Sequence, residues 1–275
     1  MRVKQGEKLM SLPLSIMIIA KNEQARIKEC LESVYGWANE IIVVDDESAD
    51  ETCAIASQYT NKIFKRKMDL EGRQRNFGVS QASNDWVMML DCDERPTPEL
   101  KKEIEQLLSN PPEKTIAFWI PQICYVGDVH IKYGGWSNPH LRLYNKNHVR
   151  WNEGEHDVVH PGMRIDAGYT GANLKQALTH YNYRNVEDIF GKVNRMSTLE
   201  ALKWHLDGRK MSQGKAIWRT VDRFFRRYIG KKGYKDGYLG FILSVSSALY
   251  ELEAYSKYVE IKEKGYYLNY LKKKS

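Results

Sequence analysis

Three short apolar runs constrain this chain more than any other feature. Leu14–Ala20 (Leu-Ser-Ile-Met-Ile-Ile-Ala), Glu40–Val44 (Glu-Ile-Ile-Val-Val) and Trp86–Leu90 (Trp-Val-Met-Met-Leu) carry almost no polar residues. A strand with one wet face alternates apolar and polar side chains, whereas runs like these suit strands buried on both faces. Between them the period changes. Ala25, Ile27, Leu31 and Val34 recur at helical spacing within 23–35, and Ser48-Ala49-Asp50-Glu51 reads as a capping box opening a helix to about Tyr59. Lys62–Arg66 reads as a short strand, Glu71–Ala82 as a helix and Pro98–Leu108 as another. Four strands joined by short helical crossovers predict an α/β fold, a mostly parallel Rossmann-like sheet with helices on both faces.

After Pro111-Pro112 the texture shifts to extended segments. Thr115–Ile131 carries a hairpin turn at Gly127-Asp128, and His140–Tyr144 with Val149–Trp151 reads as a hairpin across Asn145-Lys146-Asn147. Helices follow at Glu187–Leu206, from Ala216 onward, and from Tyr238 to about Val259. On the middle one, Ile217, Val221, Phe224, Phe225, Tyr228 and Ile229 form one stripe, with Arg219, Arg223, Arg226 and Arg227 off it. The chain thus divides into a tail (1–12), an α/β half (13–112), an acceptor-side half with extended segments (113–186) and a basic helical C-terminal extension (187–275).

Charge follows that division. Residues 203–275 hold 17 Lys and Arg against 7 Asp and Glu, a local +10 in a chain whose total is +7. Such a region suits an anionic partner, and without a nucleic-acid-binding motif an anionic membrane surface is expected rather than nucleic acid. Cys30, Cys53, Cys92 and Cys124 lie far apart with no C-x-x-C pair, as reduced thiols of a cytoplasmic protein would. Arg2, Lys4 and Lys8 precede no apolar core of signal-peptide length, and Tyr238–Tyr250 is too short to span a bilayer. A cytoplasmic protein, peripheral on the inner face of the membrane, is expected.

The chemistry concentrates where apolar runs end. Three strands stop at Ala20-Lys21-Asn22-Glu23, Asp45-Asp46-Glu47-Ser48 and Asp91-Cys92-Asp93-Glu94, and in a parallel sheet these tips meet at one crevice. Carboxylates there suit a divalent cation, because hard cations take oxygen ligands. An EF-hand loop from Asp91 fails, with Pro96 where glycine is needed and Lys102 where the bidentate glutamate belongs. No Gly-x-Gly-x-x-Gly follows the first strand and no Walker sequence occurs, so a nucleotide would be held by carboxylates on base and ribose and a metal on the diphosphate.

Ser15–Glu23, Ile41–Thr52, Gly72–Ala82 and Asp85–Arg95 together resemble family 2 glycosyltransferases of the GT-A fold, in particular bacterial enzymes of lipopolysaccharide core synthesis. A weaker match continues through Trp151-x-x-Gly-x-His156-Asp157, His180-Tyr181 and Gly233–Phe241. The resemblance implies an inverting hexosyltransferase using Mg²⁺ or Mn²⁺, a nucleoside-diphosphate sugar (a UDP-sugar first) and a lipid-linked or phosphorylated glycan acceptor. Asp46 would contact the base, with Ala20, Asn22 and Glu23 along the same pocket. Asp91 would contact the ribose and Arg75 the diphosphate. Asp93 would bind the metal, with His180 completing its shell. Asp157 would be the catalytic base; the family more often has Glu there, and Glu153 and Glu155 are its nearby substitutes.

Two other classes compete. His156-Asp157-Val158-Val159-His160 is one residue away from the His-Glu-x-x-His of zinc hydrolases, but Gly154, the paired valines and Pro161-Gly162 argue against the helix that chemistry needs. A catalytically inactive membrane or nucleic-acid adaptor on the same fold would make the basic region the functional part.

Overall fold

A computed structural model describes residues 12–154 and 161–268. Its first part runs β1 (Leu12–Ala20), α1 (Ile27–Val34), β2 (Ala38–Asp45), α2 (Thr52–Ala56), β3 (Ile63–Lys65), α3 (Glu71–Ser80), β4 (Trp86–Asp91), β5 (Glu94–Pro96) and α4 (Pro98–Ser109). Extended segments follow as β6 (Thr115–Ile120), β7 (Gln122–Val126), β8 (Val129–Ile131), β9 (His140–Asn145), β10 (Val149–Trp151), β11 (Met163–Ile165), β12 (Thr170–Asn173) and β13 (Leu178–Tyr183). Three helices close the described chain: α5 (Val186–Leu206), α6 (Gln213–Phe225) and α7 (Gly237–Lys264).

The main sheet has the order β12-β6-β9-β4-β1-β2-β3. Strands β3, β2, β1 and β4 run parallel, and β9 is antiparallel to both β4 and β6. The apolar runs are explained by two cores. On β1, Leu14, Ile16, Ile18 and Ala20 face one cluster, shared with α1 and α4, while Met17 faces the other with Val79 of α3. Strand β4 divides likewise, Met88 and Leu90 against Val87 and Met89. Burial on both faces leaves no position for a polar side chain except at the ends. Helix α4 starts as its sequence predicts, with Thr97 capping Leu100 N–H at 3.2 Å and Pro98 in the first turn.

Register levels the carboxyl ends. Ala20 pairs with Asp45, and Ile19 with Asp91, so the polar residues that follow emerge on one edge. A second sheet, β5-β13-β7-β8, stands beside that edge and brings residues near His180 to the tip of β4.

Two expectations change. Segments β9 and β10 do not form a hairpin: β9 inserts between β4 and β6, and β10 pairs with β11. The capping box does not form either. The Ser48 hydroxyl accepts the Asn22 N–H at 2.8 Å, and α2 begins only at Thr52, whose N–H goes to Asp50. The loop serves its neighbour instead of its own helix. The stripe of α6 faces outward: Ile217, Trp218, Val221 and Phe225 are exposed, Trp218 at 65%, as is Ile229 just beyond the helix. Arg219 and Arg223 point inward because Glu251 of α7, only 2% exposed, accepts Arg219 at 2.7 and 3.0 Å and pairs with Arg223 at 2.6 Å.

At the opposite edge, Glu40 ties β2 to its neighbours through Ser15, Lys62 and Ser83. Burial works to raise its pKa, but the Lys62 ammonium and the Ser15 and Ser83 hydrogen bonds outweigh it and bring the carboxyl down to about 2. A depressed carboxylate stabilises the fold above its unfolded pKa and loses that contribution as pH falls toward the folded one. Glu40→Gln is therefore expected to cost about 2 kcal/mol at pH 7 in urea unfolding and to flatten the wild-type loss between pH 4.5 and 2.

Candidate active site

The site grows from two loops that clasp each other. Asn22 and Glu47 adopt left-handed backbone (φ 53° and 52°), which turns the chain sharply after β1 and β2. Asn22 Oδ1 accepts Ala49 N–H at 2.9 Å, Thr52 Oγ1 accepts Glu23 N–H at 2.8 Å, and Asp50 Oδ2 accepts Gln24 N–H at 3.1 Å. Asp46 lies at the root of this clasp, buried, its N–H bonded to Ala20 O at 2.8 Å. Both its carboxylate oxygens are engaged, one by Lys21 Nζ at 2.8 Å and the other by Met68 N–H at 2.7 Å. Lys21 is exposed, so that ion pair can be exchanged for another donor.

The tip of β4 gathers the remaining groups. Arg142, on β9 and 5% exposed, sits between Asp91 and the fully buried Glu94 and pairs with both, Glu94 at 2.6 Å. Burial opposes the Asp91 charge, but Arg142 first, then Arg75 and His180, hold its carboxyl well below the usual carboxylate range. Glu94 shifts the other way, pushed up by burial with Asp91 adding to it and Arg142 opposing. Glu23 is raised too, by burial and by Asp93 and Asp91, against Arg26. Arg75 stacks on the Trp151 ring at 4.2 Å and pairs with Glu71; its Nε, buried, has no partner among the described residues.

From Glu94 a chain of side chains reaches Asp93. Glu94 Oε1 accepts the Gln122 amide at 2.7 Å, which turns Gln122 Oε1 toward His180 Nδ1 at 3.0 Å. His180 Nδ1 also meets the Asn182 Nδ2 at 3.2 Å, and Nε2 lies 3.4 Å from Asp93 Oδ2. In the Nδ1–H tautomer the Nε2 lone pair faces Asp93 Oδ2, which Arg26 Nη1 also approaches at 3.5 Å, and this oxygen and nitrogen pair could then hold a divalent ion. Asn182 also carries a buried Oδ1 without a partner among the described residues. Among the described residues no group of three His, Cys, Asp or Glu side chains is placed to hold a metal ion. Alongside lies a cavity of about 520 Å³ lined by Glu23, Arg26, Asp93, Asn182 and, from α5, Lys192 and Arg195.

The structure thus brings Ala20, Asn22, Glu23, Asp46, Asp91, Asp93 and His180 to one edge, with Arg75 behind Asp91. Asp157, with His156, His160 and Glu155, lies outside the described residues. Glu153 is exposed and accepts the Asn76 amide at 2.6 Å. Sequence reasoning missed Arg142, Gln122 and Asn182. Arg142 left one trace, a charge between Leu141 and Leu143 in an otherwise apolar strand.

Residues 15–167, more than half of the chain, match the family model described as Glycosyl transferase family 2. The chain belongs to that family. This family 2 glycosyltransferase is 31% identical over 238 residues to an uncharacterized glycosyltransferase of Rickettsia felis, covering 84% of each chain. It is 28% identical to the lipopolysaccharide core biosynthesis glycosyltransferase LpsC of Rhizobium meliloti, over 87% of this chain and 89% of LpsC. Among solved structures, S. aureus TarS (residues 1–349) in complex with UDP-GlcNAc aligns over 94% of this chain and 93% of its own, with a TM-score of 0.44 and 15% identity.

In this glycosyltransferase, Arg142 neutralises a carboxylate that has no water. Arg142→Leu is expected to destabilise by about 3–5 kcal/mol in chemical unfolding, because it strands Glu94 as an uncompensated buried charge. Arg142→Leu with Glu94→Gln is expected to regain a large part of that loss. Equal unfolding midpoints for the single and double variants would contradict the assignment.

Proposed function

We propose that this glycosyltransferase is a metal-dependent, inverting hexosyltransferase. It moves a sugar from a nucleoside-diphosphate donor, a UDP-sugar first among them, to a lipid-linked or phosphorylated glycan of the lipopolysaccharide-core type. The observation that carries the reading is the convergence of Asp93 and His180, 3.4 Å apart, at the tip of β4. Mg²⁺ or Mn²⁺ bound to these two residues would offset the charge that develops on the leaving diphosphate.

The chain's own residues do the rest. Asp46 gives up Lys21 and accepts from the base, with Ala20, Asn22 and Glu23 along the same edge. Asp91, kept ionised by Arg142, accepts from the ribose hydroxyls. Arg75, whose Nε lacks a partner, reaches toward the diphosphate. Asp157 takes the proton of the acceptor hydroxyl as it attacks the anomeric carbon, and a single displacement inverts that centre. The similarity to LpsC along most of both chains supports the acceptor class.

The outward apolar face of α6 supports membrane attachment on the cytoplasmic side. Exposed Lys215, Arg226, Lys231, Lys232 and Lys235 flank the exposed Trp218, Phe225 and Ile229, the pattern of a helix lying on an anionic surface. No described helix is long and apolar enough to cross a membrane.

Calorimetric titration with UDP, GDP and CDP, each with and without Mn²⁺, tests the donor reading. One nucleotide is expected to bind in the micromolar range only with Mn²⁺, and Asp93→Ala should remove that dependence. Asp157→Ala should retain the binding and lower turnover by roughly 10²–10⁴-fold. Binding of no nucleotide would overturn the reading in favour of an adaptor.

Membrane attachment is read separately. Phe225→Ser with Ile229→Ser is expected to lower partitioning onto anionic vesicles at least about tenfold, and Arg226→Glu to weaken it more at low salt than at high salt. Unchanged sedimentation in both variants would exclude this face as the contact.

A further inference from the structure

A second cavity, of about 440 Å³, lies among α5, α6 and α7, and Lys192 lines both it and the cavity beside Asp93. Its wall combines flat aromatic rings with cations: Trp136, Tyr183 and Tyr250 with Lys192, Arg223 and Arg227. Among the described residues that line it Glu200 is the one carboxylate, and it accepts the Trp204 indole N–H at 2.7 Å.

Arg227 is the anomaly. Its guanidinium lies 4.0 Å over the Trp136 ring, and Nη1 donates to Gly134 O at 2.8 Å. Gly134 and Gly135 have positive φ (77° and 73°), and a Cβ on Gly134 would come within 2.7 Å of Trp136 Nε1, so this turn is built to let the indole lie beneath the arginine. Arg219 and Arg223 find Glu251, and Arg226 finds Asp222. No carboxylate among the described residues pairs with Arg227. Burial, with Arg223 and Arg226 adding, pulls its pKa down to about 10. A half-buried cation held in place by stacking and a carbonyl, beside two other cations, is a preorganised receptor for an anion.

We propose that this cavity is the acceptor subsite, and that Arg227 and Lys192 bind an anionic substituent of the acceptor sugar, a phosphate or a carboxylate, while Trp136 and Tyr250 pack against the sugar ring. The assignment to an acceptor rests on the glycosyltransferase reading, whereas the anionic-sugar site itself does not. Lys192, in the wall of both cavities, places this one next to the cavity beside Asp93.

Ligand-observed NMR titration of the intact protein with glucose 6-phosphate, glucuronate, glucose and inorganic phosphate tests this without turnover. At least one anionic sugar is expected to bind more tightly than both glucose and inorganic phosphate, and the tighter of the two identifies the anion. Arg227→Gln and Lys192→Gln are each expected to weaken it tenfold or more. Should Arg227→Gln not fold, Lys192→Gln carries the test. Inorganic phosphate binding as tightly as either sugar, no binding of an anionic sugar, or unchanged affinity in the folded variants would overturn the proposal. A parallel Mn²⁺–UDP titration separates the two readings: its failure in wild type removes the donor assignment, while the sugar titration still decides the anion site.

Discussion

A strand tip that concentrates three carboxylates needs a counterion inside the protein, and Arg142 is that counterion. It reaches Asp91 and Glu94 from the neighbouring antiparallel strand, so the acidic tip is stable only when β9 is inserted beside β4. From this contact the rest follows. Glu94, charge-paired, can accept from Gln122; Gln122 then meets His180 at Nδ1; and His180 presents Nε2 to Asp93. Asp91 and Asp93 are two residues apart in sequence, yet they differ in partner. One is held ionised by the Arg142 guanidinium, and the other meets Arg26 at 3.5 Å and His180 at 3.4 Å on the wall of the cavity.

The left-handed turns at Asn22 and Glu47 act on the other side of the same edge. Their loops exchange hydrogen bonds with each other more than with their own helices, which explains the short α2. The cost of that arrangement is small because polar groups at helix starts find partners across the clasp instead of along the chain.

How much was legible from residues alone follows the range of the interactions. Leu14–Ala20 and Trp86–Leu90 announced doubly buried strands because burial on both faces removes polar residues locally, and Thr97-Pro98 announced α4 through a cap within one turn. Tip chemistry was legible for the same reason: in parallel strands, register alone levels Ala20, Asp45 and Asp91. Partner choice was not legible. Nothing near His140–Asn145 says that it enters the main sheet rather than pairing with Val149–Trp151, since antiparallel pairing is set by distant neighbours. Nor could the stripe on α6 say which way it faces. Two faces of contrasting polarity are visible in the residues, but Glu251, 32 positions from Arg219, decided that Arg219 and Arg223 turn inward.

Lys192 belongs to the wall of both cavities, its ammonium 5.2 Å from the Tyr183 ring. A single mobile charge cannot satisfy two anions fully, so an anion in either cavity changes the field in the other. Coupling of this kind is reciprocal by thermodynamic necessity: whatever factor one ligand imposes on the second, the second imposes on the first. Two molecules that meet across such a wall would obey one linked equilibrium, the same whichever arrives first.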